Sequence, residues 1–223
     1  MTGSAAKAVV LDVNETLFSL DVLRPAFAEI GLDANAVPLW FARTLRDGFA
    51  LCASDDYRSF PDVAASALIS LDPHRVTTDD ASVVLSAFGR LHAHPDVSEG
   101  LALLADAGIP MCTLSQGNAD NVRRLFDGAG LSDYVTEHLS VEAVQRWKPA
   151  PQPYHYACEN LGVSPGEATM VAVHSWDLHG ARRAGLRTAW ISRLEGARPA
   201  IFDAADIHGP DLPAVARLII EAA

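Results

Sequence analysis

Basic residues are scarce: 17 Lys and Arg stand against 28 Asp and Glu, a formal net charge of −11 over 223 residues. An acidic chain repels a polyphosphate backbone, so no nucleic-acid partner is expected. A small anionic substrate stays compatible, because a pocket can be positive inside an acidic surface. Cysteine is scarce as well. Cys52, Cys112 and Cys158 are odd in number and lack a C-x-x-C spacing, which excludes a disulfide framework and a zinc site and points to free thiols in a reducing compartment. No apolar run approaches the roughly 18 residues that span a bilayer, so no membrane partner is expected. The opening Met1-Thr-Gly-Ser-Ala-Ala-Lys7 leads into a strand-like run rather than a signal peptide's apolar stretch, and the expected location is the cytoplasm. Apolar residues, by contrast, are plentiful. At 49% hydrophobic and 20% charged, the composition excludes disorder and supports a sizeable core. The length suits one large domain or a domain with an insert.

The first clear element is the run Ala8–Val13, short, apolar and β-rich, ahead of Asn14-Glu15-Thr16. A continuous apolar run of this length reads as a buried parallel strand. Similar runs recur at Pro110–Ser115, Ala168–His174 and Arg187–Ser192. Helical spacing marks Asn118–Gly130, Pro151–Gly162 and Asp177–Gly185, each stopping at a glycine. Strands alternating with helices predict βαβ units and an α/β, doubly wound, Rossmann-like parallel sheet. Between the first two strands, Leu20–Ile30, Ala36–Cys52, Phe60–Leu71 and Thr78–Leu91 carry helical periodicity without comparable strands. The expected organisation is a core of residues 1–17 and 96–223 with an inserted helical cap at 18–95. The active site is expected at the carboxyl ends of the strands.

Four polar residues fall at those ends in chain order: Asp12, Ser115, Lys148 and Asp177. A carboxylate such as Asp12 is suited to covalent nucleophilic attack, dividing one hard displacement into two easier steps. A cation is needed to keep it ionised and aimed, and Lys148 fits. Ser115, Gln116 and Gly117 read as the opening of a helix, whose free N–H groups attract anions. A second carboxylate or a histidine then activates water. Each residue alone has a plainer reading. Asp12 suits a turn or cap, Ser115 an N-cap, Lys148 a solvated loop charge, and Asp177 a helix N-terminal charge favoured by the dipole.

Together, Asp12-Val-Asn-Glu-Thr16, Ser115, Lys148-Pro149 and Asp177-Leu-His-Gly-Ala-Arg-Arg-Ala-Gly185 resemble the four motifs of the haloacid dehalogenase superfamily. Val9–Leu17 and the Trp176-Asp177 pair are most similar to its type II 2-haloacid dehalogenase branch. Phosphatases of the superfamily carry a second Asp two residues after the nucleophile. Here that position is Asn14, which has no proton to give near neutral pH. They also place a Mg²⁺-holding acid at the fourth motif, where this chain reads Val171-Ala-Val-His-Ser175 before Asp177. Halide leaves without a proton, so the resemblance implies dehalogenation with no metal and no cofactor.

The resemblance also implies roles. Asp12 would attack C2 of a small 2-haloalkanoic acid, displacing halide and forming an ester. Thr16 and Ser115 would orient Asp12 and the substrate carboxylate, Lys148 would pair with Asp12, and Tyr154 would support the site. Asp177 would position or deprotonate the hydrolytic water, with His174 sharing that task or serving as a hydrogen-bonded structural histidine. Asn14, Trp40, Phe41, Gln116 and Gly117 fall at substrate-contacting positions. Three departures stand out. The branch's cap Arg after Trp is Phe41 here, with Arg43 and Arg46 as nearby substitutes. The usual Asn after the serine is Gln116, and Asn14 replaces a frequent Tyr. A homodimer is expected from the branch. The alternatives are the same covalent chemistry on another activated 2-substituted carboxylate, a phosphatase of the superfamily, and a binding protein without turnover.

Overall fold

The computed structural model describes residues 7–223. Its strands are β1 (Ala8–Leu11), β2 (Phe18–Ser19), β3 (His92–Ala93), β4 (Met111–Ser115), β5 (Glu137–Ser140), β6 (Ala168–Ala172), β7 (Arg187–Ile191) and β8 (Ile207–Gly209). The helices are α1 (Leu23–Glu29), α2 (Val37–Ala53), α3 (Phe60–Ile69), α4 (Thr78–Ser86), α5 (Val97–Asp106), α6 (Ala119–Ala129), α7 (Pro151–Leu161), α8 (Ser175–Arg183) and α9 (Leu212–Glu221). Six strands form one parallel sheet in the order β5-β4-β1-β6-β7-β8. This is the expected α/β doubly wound architecture. β1 lies between β4 and β6, pairing Val9 with Met111 on one side and with Thr169 on the other. The chain first builds outward from β1 through β4 and β5, then returns to extend the other half from β6. The strand order therefore reverses beside β1, where a crevice opens at the carboxyl ends.

All four residues of β1, and all five of β4 and of β6, are buried, because helices cover both faces of the sheet. That double burial explains why these strands are legible as continuous apolar runs. β5 (Glu-His-Leu-Ser) and the three-residue β8 were not foreseen. β5 carries polar residues, with Glu137 exposed, and β8 is a short strand at the opposite edge. Helices α5 and α9, also not foreseen, pack against each other beside the sheet, where Gly100 brings α5 so close that a Cβ would lie 2.4 Å from Leu212.

Local signals set the helix ends. Asn118 caps α6 by accepting from the N–H groups of Asp120 and Asn121, and Gly130 ends it at φ 68°. The helix thus opens at Asn118, later than the Ser115–Gly117 opening expected from sequence. Ser115–Gly117 instead forms a turn in which the Gly117 N–H donates to Ser115 Oγ at 2.9 Å. α7 begins on Pro151 and ends at Gly162 at φ 67°, matching the Pro-first, Gly-last asymmetry of helices.

Helices α1 to α4 all fall between β1 and β4. The chain leaves and re-enters this segment through the β2–β3 ribbon, which pairs Phe18 with Ala93 and Ser19 with His92. Thr77 and Asp80 form a reciprocal capping box at α4. Inside, Trp40 packs against Phe27 and Phe88 at ring distances of 5.5 and 5.9 Å. Its indole N–H donates to the Ala64 carbonyl at 2.9 Å. Gly48 lets α2 press on the indole of Trp147, since a Cβ there would lie 2.4 Å from the ring. Cys52, Cys112 and Cys158 are unpaired. No helix among the described residues is long and apolar enough to cross a membrane.

Candidate active site

The rim is built by strand ends. Asp12 directly follows β1, and its backbone N–H donates to Val171 O of neighbouring β6 at 3.0 Å. Lys148 lies in the turn before α7, and Asp177 lies in the first turn of α8. Though separated in sequence, these three meet. Lys148 Nζ is 2.8 Å from Asp12 Oδ1, 2.7 Å from Asp177 Oδ2 and 3.0 Å from the Leu114 carbonyl. Its three N–H groups are therefore all used. Lys148 and Asp177 have no solvent exposure and Asp12 has 5%. A buried ammonium is tolerated only with such complete pairing.

The other oxygen of Asp12 has different partners. Thr16 donates to Oδ2 at 2.6 Å, while its own hydroxyl accepts from the Val173 N–H at 3.1 Å. His174 Nδ1 lies 3.3 Å from the same oxygen. Its Nε2 lies 2.9 Å from Glu15 Oε2. Tyr154 donates to Asp177 Oδ1 at 2.6 Å. Close approach allows this: a Cβ on Gly180 of α8 would fall 2.5 Å from Pro149 and 2.7 Å from the Tyr154 hydroxyl.

Environment separates the two carboxylates. Burial by itself would raise the pKa of Asp12, but the Lys148 charge and the His174 hydrogen bond outweigh it and hold Asp12 well below the usual carboxylate range. Asp177 moves the other way. Burial dominates, Lys148 offsets only part of it, and the neighbouring Asp12 charge adds to the rise. Lys148 is penalised by burial yet raised by both carboxylates. His174 is penalised by burial, but hydrogen bonds to Asp12 and Glu15, together with their charges, push it up to about 10. At neutral pH the site thus holds an ionised Asp12, a weaker acid at Asp177 and an imidazolium.

A cavity of about 250 Å³ opens beside this network, lined by Asn14, Phe60, Phe88, Ser115 and Gly117, with Asn118, Asn121 and Arg124 also contributing. Ser115, Asn14 and Gly117 thus line one cavity. Phe41 is buried with its ring 6.4 Å from both Phe60 and His174. Two of the expected substrate-contacting residues face elsewhere. Gln116 spends its amide on the backbone of Lys148, donating to the carbonyl at 2.8 Å and accepting from the N–H at 3.1 Å. Trp40 lies inside the helical segment and does not line the cavity. Neither Arg43 nor Arg46 lines it, and Arg46 is paired with Asp47 at 2.7 Å.

Sequence reasoning missed Glu15, Phe60 and Arg124. Glu15 lies between two singled-out residues, Asn14 and Thr16, and reads as an ordinary turn acid. Only the fold sets it against His174. Among the described residues, no group of three or more His, Cys, Asp and Glu side chains is arranged to hold a metal ion. Lys148 Nζ itself fills the space between Asp12 and Asp177.

Comparison with known proteins identifies the chain's relatives. Residues 6–185 match the family model of haloacid dehalogenase-like hydrolases. The chain is 31% identical over 196 residues to (S)-2-haloacid dehalogenase 4A of Burkholderia cepacia, covering 84% of this chain and 83% of that one. It is 28% identical over 224 residues to an (S)-2-haloacid dehalogenase of Pseudomonas sp. strain YL, covering 97% and 96%. The L-2-haloacid dehalogenase of Xanthobacter autotrophicus, solved with chloropropionic acid covalently bound, superposes with a TM-score of 0.87 at 26% identity, covering 98% of this chain and all of that one. The chain belongs to the haloacid dehalogenase-like hydrolases.

Proposed function

We propose that the protein hydrolyses the carbon–halogen bond of a small 2-haloalkanoic acid through an aspartyl ester on Asp12. The observation that carries this reading is the single ammonium of Lys148, bonded to both Asp12 and Asp177 inside a buried site. It keeps a nucleophile ionised beside a second carboxylate of higher proton affinity, as a two-step displacement and hydrolysis requires.

Oδ1 of Asp12 has one donor, Lys148, whereas Oδ2 has Thr16 and His174. Oδ1 therefore keeps more lone-pair density and is the attacking atom. It forms a bond to C2 of the substrate while the carbon–halogen bond breaks and the halide departs with the electron pair. The substrate carboxylate is assigned to the cavity side, where Ser115 and Asn14 line the wall. In the second step Asp177, steadied by Tyr154, takes a proton from water as that water adds to Cγ of Asp12. Collapse breaks the Cγ–Oδ1 bond, the departing 2-hydroxy acid recovers the proton from Asp177, and the regenerated Asp12 carboxyl, which holds the second proton of the water, releases it to solvent. Residues 18–95 act as a cap over the site, supplying apolar walls at Phe60 and Phe88, with Phe41 packed against Phe60 and His174. The relatives named as (S)-2-haloacid dehalogenases support an (S)-substrate.

The test is halide release from chloro-, bromo- and fluoroacetate and from both enantiomers of 2-chloropropionate, with chelator present. Release favouring one enantiomer is the expected result. Asp12→Asn, nearly isosteric, should keep the fold by circular dichroism and lower turnover by about a thousandfold or more. A folded wild-type protein that frees no halide overturns the substrate assignment, and an Asp12→Asn variant with wild-type activity overturns the covalent scheme.

A further inference from the structure

Three observations converge on the turn after β1. Glu15 adopts φ 63°, the left-handed region that a residue with a Cβ enters only at a steric cost. Its carboxylate reaches across to the residue before α8 and meets His174 Nε2 at 2.9 Å. The other ring nitrogen of His174 points at Asp12 Oδ2 at 3.3 Å. The ring is also fixed in position, lying 6.4 Å from Phe41 and 5.3 Å from Trp176. An acid in a backbone position better suited to glycine, aimed at a buried histidine, indicates that its side chain compensates for the strain.

We infer that Glu15 and His174 form a charged pair that gives Asp12 Oδ2 the hydrogen-bond donor needed to stabilise the oxyanion formed when water attacks the aspartyl ester. This inference rests on the proposed aspartyl-ester reaction. In the first step Oδ1 becomes the ester oxygen and Oδ2 remains the carbonyl oxygen. When water adds to Cγ and Asp177 takes its proton, the carbonyl π pair moves onto Oδ2. The Nδ1–H of His174 and the Thr16 hydroxyl are already directed at that atom, so no reorganisation is needed as the charge develops. His174 is thus catalytic, and Glu15 is a positioning residue that holds the ring protonated and oriented. The groups facing the ring are Asp12 beyond β1, Glu15 in the next turn, the apolar Phe41 of α2 and Trp176 of α8 itself. Both acids favour its charge, and burial is the only opposing influence.

The pair also accounts for a tolerated departure. Among the described residues, Lys148 is otherwise the one ammonium bonded to the two buried carboxylates of a site that receives an anionic substrate. An imidazolium at His174 restores a second cation where the cap offers only Phe41.

Rapid-quench turnover of a 2-haloacid by wild type, Glu15→Gln and His174→Phe tests the inference, with the ester on Asp12 measured by intact mass. Both variants should show a burst of one halide per active site, then turnover lowered by about a hundredfold, with the ester-bearing fraction raised. Thr16 and the nucleophile are untouched in both. If turnover falls without ester accumulating, the inference is overturned. Should His174→Phe fail to fold, Glu15→Gln alone decides, since Gln keeps the shape and removes the charge. A second readout is independent of substrate. Imidazole ¹⁵N NMR should show His174 still protonated at pH 8 in wild type and neutral there in Glu15→Gln; a neutral ring in wild type overturns the pairing. If wild type frees no halide, the proposed function fails separately while the NMR result still judges the pair.

Discussion

The two sides of the cavity beside Asp12 differ in kind. Every charged group of the buried network, Asp12, Glu15, Lys148, His174 and Asp177, comes from a loop or helix start at the carboxyl edge of the sheet. The helical segment opposite contributes rings: Phe60 and Phe88 line the cavity, and Phe41 packs against Phe60 and His174. A rigid parallel sheet anchors strand ends on a continuous ladder of hydrogen bonds, so charges hung there keep their spacing. A helical layer joined through the two-residue β2–β3 ribbon is better suited to shape and to exclusion of water. Electrostatics is assigned to the sheet and enclosure to the helices.

If that division holds, the largest effect should come from removing the shared cation. Lys148→Met leaves two buried carboxylates without a counter-charge, and a loss of roughly 3–5 kcal/mol in chemical denaturation is expected, together with loss of turnover. Stability close to wild type would show that the network is not held by this ammonium. An intermediate effect is expected from Gly180→Ala. The added methyl meets Pro149 and Tyr154 at 2.5–2.7 Å, so α8 must move and carry Asp177 with it. Turnover should fall by about ten- to a hundredfold, with a stability loss of about 1–3 kcal/mol; unchanged kinetics would mean that the position of Asp177 is not critical. The smallest effect should come from the aromatic side. Phe60→Leu is expected to raise KM several-fold and widen the range of accepted chain lengths while kcat changes by less than about threefold. A large fall in kcat instead would place chemistry on the helical side and break the comparison.

Legibility followed the same line. Asp12, Ser115, Lys148 and Asp177 were visible in the sequence because each adjoins a signal that burial writes into composition: an apolar run, a helix start or a Lys-Pro step. The four central strands were visible for the same reason. β5 and β8 were not, since one carries polar residues and the other is only three residues long. Gln116 was expected to face substrate and instead ties down the Lys148 backbone, and Trp40 turned inward to the Ala64 carbonyl. Residue type states what a side chain is able to bond, and direction comes from neighbours distant in sequence.

By itself, then, the sequence determined the class of fold, the order of polar residues along the rim and the family to which the chain belongs, because periodicity and turn residues act over a few positions. Tertiary structure alone decided which oxygen of Asp12 meets which donor, that one lysine serves two carboxylates, and that Glu15 and His174 meet across the β1–β6 boundary. Apart from the Thr16 bond, these contacts join residues 29 to 162 positions apart. Only the strand order of the sheet brings such residues within hydrogen-bonding distance, and only burial there makes their charges strong enough to set one another's protonation.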